Sequence, residues 1–76
     1  MENDLKLFIQ KEIFNLVFVK VEFDDSLLKS KVIDSISFVD LLVCIEDEIG
    51  KKIPQFLIVE ENFDSINSMI ETLKKI

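Results

Sequence analysis

The chain has no histidine, tryptophan, tyrosine or arginine, and only one cysteine, one glycine and one proline. Without histidine, the commonest general acid and base is missing. Without arginine there is no bidentate clamp for phosphate or carboxylate. A conventional enzyme built here would have to work with Asp, Glu, Lys, Ser and one thiol, so no catalytic activity is expected. The single cysteine, Cys44, excludes an intramolecular disulfide. Glu2, Asn3 and Asp4 stand where a secretory signal would carry basic residues. A reducing cytoplasm is the expected setting. The apolar runs are too short to cross a bilayer, so no membrane span is expected. So little Gly and Pro excludes a flexible linker, and 49% hydrophobic residues argue against disorder.

What is present is acidic and amphipathic. Fifteen Asp and Glu face nine Lys, a net charge of -6. That charge repels phosphate backbones, so nucleic acid is not an expected partner. It favours encounters with basic protein surfaces. Residues 1–76 read as one small domain, monomeric, and as a complete gene product.

Periodicity predicts an all-α fold, a small bundle of three long helices and one short one. Leu5, Phe8, Ile9, Ile13, Leu16 and Val17 recur at helical spacing and predict a first helix from about Asp4 to Val17. Val19, Val21 and Phe23 alternate with Lys20 and Glu22, a strand-like signal. Phe56 to Val59 could pair with them, but an extended loop plugging the core fits better. Residues 24–33 read as a loop, with turn-forming Asp24, Asp25, Ser26 and Ser30, pinned by Leu27, Leu28, Val32 and Ile33. It lacks the glycine and alternating oxygen ligands of a calcium loop.

The clearest element runs from Ser35 to about Ile49. Asp34 is a good N-cap and Gly50 a good C-terminal stop. Ile36, Val39, Leu42 and Val43 form one apolar side, and Phe38, Leu41, Ile45 and Ile49 extend it. A narrow polar stripe is then expected: Ser37, Asp40, Cys44, Asp47 and Glu48. So broad an apolar front predicts a central helix. A short turn near Val59 to Asn62 and a last helix from Asp64 or Ser65 follow, with Ile66, Met69, Ile70 and Leu73 facing inward.

Val32-Ile33-Asp34-Ser35-Ile36, then Phe38-Val39-Asp40-Leu41-Leu42, then Ile45-Glu46-Asp47-Glu48-Ile49 and Ile53-Pro54, resembles the phosphopantetheine attachment region of the acyl carrier protein superfamily. The resemblance covers nearly the whole chain and implies a four-helix bundle of the acyl-carrier type. It implies 4'-phosphopantetheine, from coenzyme A, attached at Ser35 with Asp34 and Ile36 beside it. The protein is then a carrier of acyl or aminoacyl thioesters. Its implied partners are a phosphopantetheinyl transferase, an acyl- or aminoacyl-loading enzyme, and a downstream acyltransferase or synthase. The resemblance also casts Asp40 and Asp47, flanked by Glu46 and Glu48, as acids meeting basic partner patches, and Ile36 as an apolar residue that partners grip. The physical logic agrees, since a helix N-terminus favours the phosphodiester anion. The spacing from Pro54 to the last helix looks more like D-alanyl or peptidyl carriers than fatty-acid carriers.

The tripeptide alone is weak. Asp64-Ser65-Ile66 repeats it and Asp25-Ser26-Leu27 comes close. Only Ser35 opens the long acidic helix; Ser65 starts a short terminal one and Ser26 sits in a loop. One departure is Lys31, where the family often has glycine, which implies a different loop conformation. Gly50-Lys51-Lys52 is also a less acidic finish than many members show. Cys44, among acids and without histidine, reads as a surface residue rather than a nucleophile. The alternative is an acidic helical interaction module that never receives the arm, to which composition and periodicity apply equally well.

Overall fold

The computed structural model describes residues 2–76. Four helices, α1 (Glu2–Val17), α2 (Ser35–Ile49), α3 (Glu60–Phe63) and α4 (Ile66–Leu73), and a 3-10 turn (Gln55–Leu57) make a small bundle. No strand occurs among the described residues. α1 packs on α2 and α4, and α3 packs on α4.

Helix α1 starts two residues before the expected Asp4, with Glu2 and Asp4 in its first turn where the helix dipole favours acids. Glu2 also pairs with Lys74 at 3.2 Å, tying the start of α1 to the end of α4. Ile9 and Ile13, one turn apart, are fully buried, and Leu5, Phe8, Leu16 and Val17 pack around them. The helix closes on Phe18, whose N–H donates to Phe14 O at 2.8 Å with φ at +61°. Phe18 is 79% exposed.

The long connection 18–34 is a loop that reaches inward, as expected. Val21, Leu27 and Ile33 are buried; Phe23, Leu28 and Val32 lie half-buried against the core. Side chains, rather than a partner strand, take up many of its backbone groups. Gln10 Nε2 donates to Val21 O at 2.7 Å, and Glu22 N–H donates to Asp25 at 2.8 Å. Leu28 N–H and Lys29 N–H donate to Asp64 at 2.8 and 2.9 Å. The alternation at 19–23 therefore never becomes a ladder, and the 3-10 turn takes up the first two residues of the other strand-like run.

Helix α2 carries both expected caps. Asp34 accepts the Ser37 N–H, and Gly50, at φ +72°, donates its N–H to Glu46 O. Ser65 caps α4 by accepting the Ser68 N–H. α4 buries Ile66, Met69, Ile70, Thr72 and Leu73, and the Thr72 hydroxyl donates to Ser68 O at 2.9 Å. Phe63, at the end of α3, is completely buried with its ring edge-on to Phe38 at 5.6 Å. Each large apolar side chain so buried contributes about 1.5–3 kcal/mol.

Lys31 has φ at +65°. The lysine thus occupies the left-handed backbone that glycine adopts freely. That conformation costs an L-residue about 1–2 kcal/mol, against about 0.5–1 kcal/mol of extra unfolded-state entropy for glycine. Lys31→Gly should therefore stabilise the chain by about 0.5–1 kcal/mol in urea titration.

Candidate functional site

The candidate site lies where the pinned loop delivers the chain into α2. Buried Ile33 donates its N–H to buried Leu27 O at 3.0 Å, closing the loop. Asp34, in extended backbone, then turns the chain into the helix, and Ser35 is its first residue, exposed to solvent. The Asp34 carboxylate is held below its ordinary range chiefly by the Ser37 N–H at 2.8 Å, then by the Ser37 side chain and, weakly, the Ile36 N–H; slight desolvation opposes this. Asp34 is therefore ionised at neutral pH. It takes up the Ser37 N–H, one of the first-turn amides that would otherwise be open to another anion.

The three Asp-Ser sites separate clearly. The Ser65 hydroxyl accepts the Ser68 N–H and donates to Ser68 Oγ, both at 3.1 Å. Ser26 Oγ donates to Asp64 at 2.8 Å. Both are spent on holding the fold. Ser35 is the exposed one that opens a long helix, beside a cleft of ≈ 460 Å³. Leu28, Ile33, Phe38 and Val39 give this cleft an apolar lining, and its charged groups are Lys31, Asp34 and Glu60.

The face of α2 running away from Ser35 is broader and more apolar than the narrow polar stripe expected. Ile36 is 76% exposed, and Val39 and Val43 are also exposed. Leu41 and Ile45 supply the buried side. The expected division of the helix is thus corrected: the core takes the Leu41 and Ile45 side. Ile36, Val39, Asp40, Val43 and Asp47 recur at three- and four-residue spacing and share the outer face. Phe56 and Val59, in the connector, are exposed too. Ile36 was already expected to face partners, whereas the exposure of Val39 and Val43 was missed, because an apolar residue on a helix is by default assigned to the core. Their signal was the shared spacing with Asp40 and Asp47.

The acids differ in what they do. Asp40, Asp47 and Glu48 are exposed. Glu46 is half-buried and accepts the Ile53 N–H at 2.8 Å, with Lys52 at 3.7 Å. It anchors the Ile53-Pro54 segment to α2, so its carboxylate is already engaged within the fold. Cys44 is half-buried, and its thiol is pushed above the ordinary range first by burial, then by Glu12, Asp47 and Asp40. It stays protonated and unreactive at neutral pH.

Among the described residues, no helix is long and apolar enough to cross a membrane. No family model and no curated protein matches this chain.

Proposed function

We propose that the chain is a carrier that holds acyl or aminoacyl groups as thioesters on a phosphopantetheine arm at Ser35, as the resemblance to the acyl carrier protein superfamily implies. The observation behind this reading is the placement of Ser35: a solvent-exposed hydroxyl at the first residue of the central helix, beside an apolar cleft. The other two Asp-Ser serines have their hydroxyls engaged.

The residues present fit the arm. Ser35 Oγ would attack the phosphorus of coenzyme A that bears the pantetheine, forming one P–O bond as the pyrophosphate P–O bond breaks. The adenosine bisphosphate half leaves, and the hydroxyl proton goes to a base on the transferase, since no histidine exists here to accept it. The arm, once bound, supplies the thiol. The chain itself needs no activated nucleophile, which suits its raised Cys44. Ile36, Val39 and Val43 offer partner enzymes an apolar strip, and Asp40 and Asp47 steer basic patches towards it. Glu48 flanks them, while Glu46 serves the fold. The partners are a phosphopantetheinyl transferase, a loading enzyme and a downstream acyltransferase or synthase, in the cytoplasm.

The test is transfer of a fluorescent phosphopantetheine from labelled coenzyme A by a phosphopantetheinyl transferase, followed over time. One label per chain is expected. Asp40→Lys with Asp47→Lys should slow transfer about tenfold at low salt and much less at high salt, with the folded state unchanged. No labelling, with a cognate transferase also tried, would favour the acidic interaction module instead.

A further inference from the structure

We infer that Lys31 holds the phosphate of the arm, an inference that rests on Ser35 being the attachment point. It follows from the charges around the cleft. Asp34, Glu60 and Lys31 are the ionisable side chains that line it, two acids and one base. A phosphodiester at Ser35 places a third negative charge there. Asp34 is held ionised beside it and already takes up the Ser37 N–H, one of the first-turn amides that would otherwise serve the new anion. The rest of the cleft lining, Leu28, Ile33, Phe38 and Val39, is apolar and offers no donor side chain. The Lys31 ammonium is thus the one cation within this lining that can neutralise the phosphate.

Lys31 is in the right state to do so. It is exposed, and the three ion pairs that tie Lys52 and Lys74 to acids elsewhere do not involve it. Lysine acts on phosphate as a point charge on a flexible stem, so the pairing needs no fixed geometry before the arm arrives. The pairing also gives a reason for a lysine at φ +65°, where glycine would cost less in the unmodified chain. Lys31 is a positioning residue here. It orients the first group of the arm over the cleft and has no part in forming the thioester.

The experiment compares thermal midpoints of unmodified and arm-bearing protein for the wild type, Lys31→Gln and Lys31→Arg. The arm should raise the wild-type midpoint by about 2–5 °C relative to the shift in Lys31→Gln. Lys31→Arg should keep the shift, and 0.5 M salt, a concentration at which the screening length falls to roughly 4 Å, should remove most of it. The phosphorus NMR signal of the arm should move between wild type and Lys31→Gln and return towards its wild-type position in Lys31→Arg. A merely structural lysine would change both forms of the protein equally and leave the phosphorus signal in place. Equal shifts in wild type and Lys31→Gln, with an unmoved phosphorus signal, would overturn the inference while leaving Ser35 as the attachment point. Failure of any arm to attach to the wild type would overturn both.

Discussion

Asp64→Ala should destabilise the fold by about 2–3 kcal/mol, a large share of what a domain of this size can have. The carboxylate of Asp64 accepts the Leu28 and Lys29 N–H groups and the Ser26 hydroxyl, all within 2.9 Å, and its own backbone carbonyl accepts the Leu27 N–H at 2.6 Å. Asn67, just beyond, donates its N–H to Phe23 O at 3.0 Å and its side-chain amide to Asp24. These bonds staple the 24–33 loop onto the junction of α3 and α4. Alanine keeps the backbone bond and loses the three side-chain ones. Because the loop delivers Asp34 and Ser35, the variant should also blur the start of α2, visible as loss of amide protection at Leu28, Lys29 and Ile33 in hydrogen exchange.

The same carboxylate sets a pH dependence. Asp64 is held below its ordinary range chiefly by the Lys29 N–H, with Ser26, the Leu28 N–H and the Lys29 charge adding to it and slight desolvation opposing. A group with a depressed folded-state pKa binds its proton less readily in the folded state than in the unfolded one. Its stabilisation is complete above the unfolded value of about 3.9 and is lost as pH falls through the folded value. Asp34 acts in the same direction. Urea midpoints should therefore be flat from pH 7 to about 5 and fall below about 4, and Asp64→Asn should fall less steeply over that acid range. Solvent screening keeps the effect modest, since both carboxylates are largely in water. An unchanged acid slope in Asp64→Asn would contradict the assignment.

The longer helices were largely readable in the sequence from capping residues and apolar period. Asp34 and Gly50 bracket α2, Ser65 opens α4, and the apolar period of α1 places Ile9 and Ile13 in the core. The beginning of α1 was less readable, since Glu2 gains its place from a distant Lys74. What the sequence concealed were side chains whose partners are far along the chain. Asp64 looked like the start of the last helix and part of a repeated tripeptide, yet its work lies 35 to 38 residues away. Glu46 looked like one more acid on the α2 surface, yet it holds Ile53. The exposure of Val39 and Val43 was hidden for the opposite reason, because an apolar residue is read as core until its neighbours are known. Lys31 drew notice as a lysine in a turn-rich loop, but its left-handed backbone is set by the fold around it and could not be read from its neighbours.

Ser35→Ala should abolish attachment of the arm completely while leaving the fold intact, because Ser35 is exposed and, among the described residues, its side chain holds none of the hydrogen bonds that cap α2 or pin the loop. Alanine is also a good helix former at an exposed position. Ser65→Ala should do the reverse. It removes the cap of α4, costing about 1 kcal/mol, and leaves attachment unchanged. The contrast matters because both serines sit in the same tripeptide, so sequence alone does not separate them by local chemistry.

The measurement that bears most directly on the carrier reading is an intact-mass spectrum after incubation with coenzyme A, magnesium and a phosphopantetheinyl transferase, for wild type, Ser35→Ala and Ser65→Ala together. The reading predicts the mass of one phosphopantetheine added to wild type and Ser65→Ala, and none to Ser35→Ala. A gain that survives in Ser35→Ala, or no gain in any of the three with a cognate transferase supplied, would contradict it.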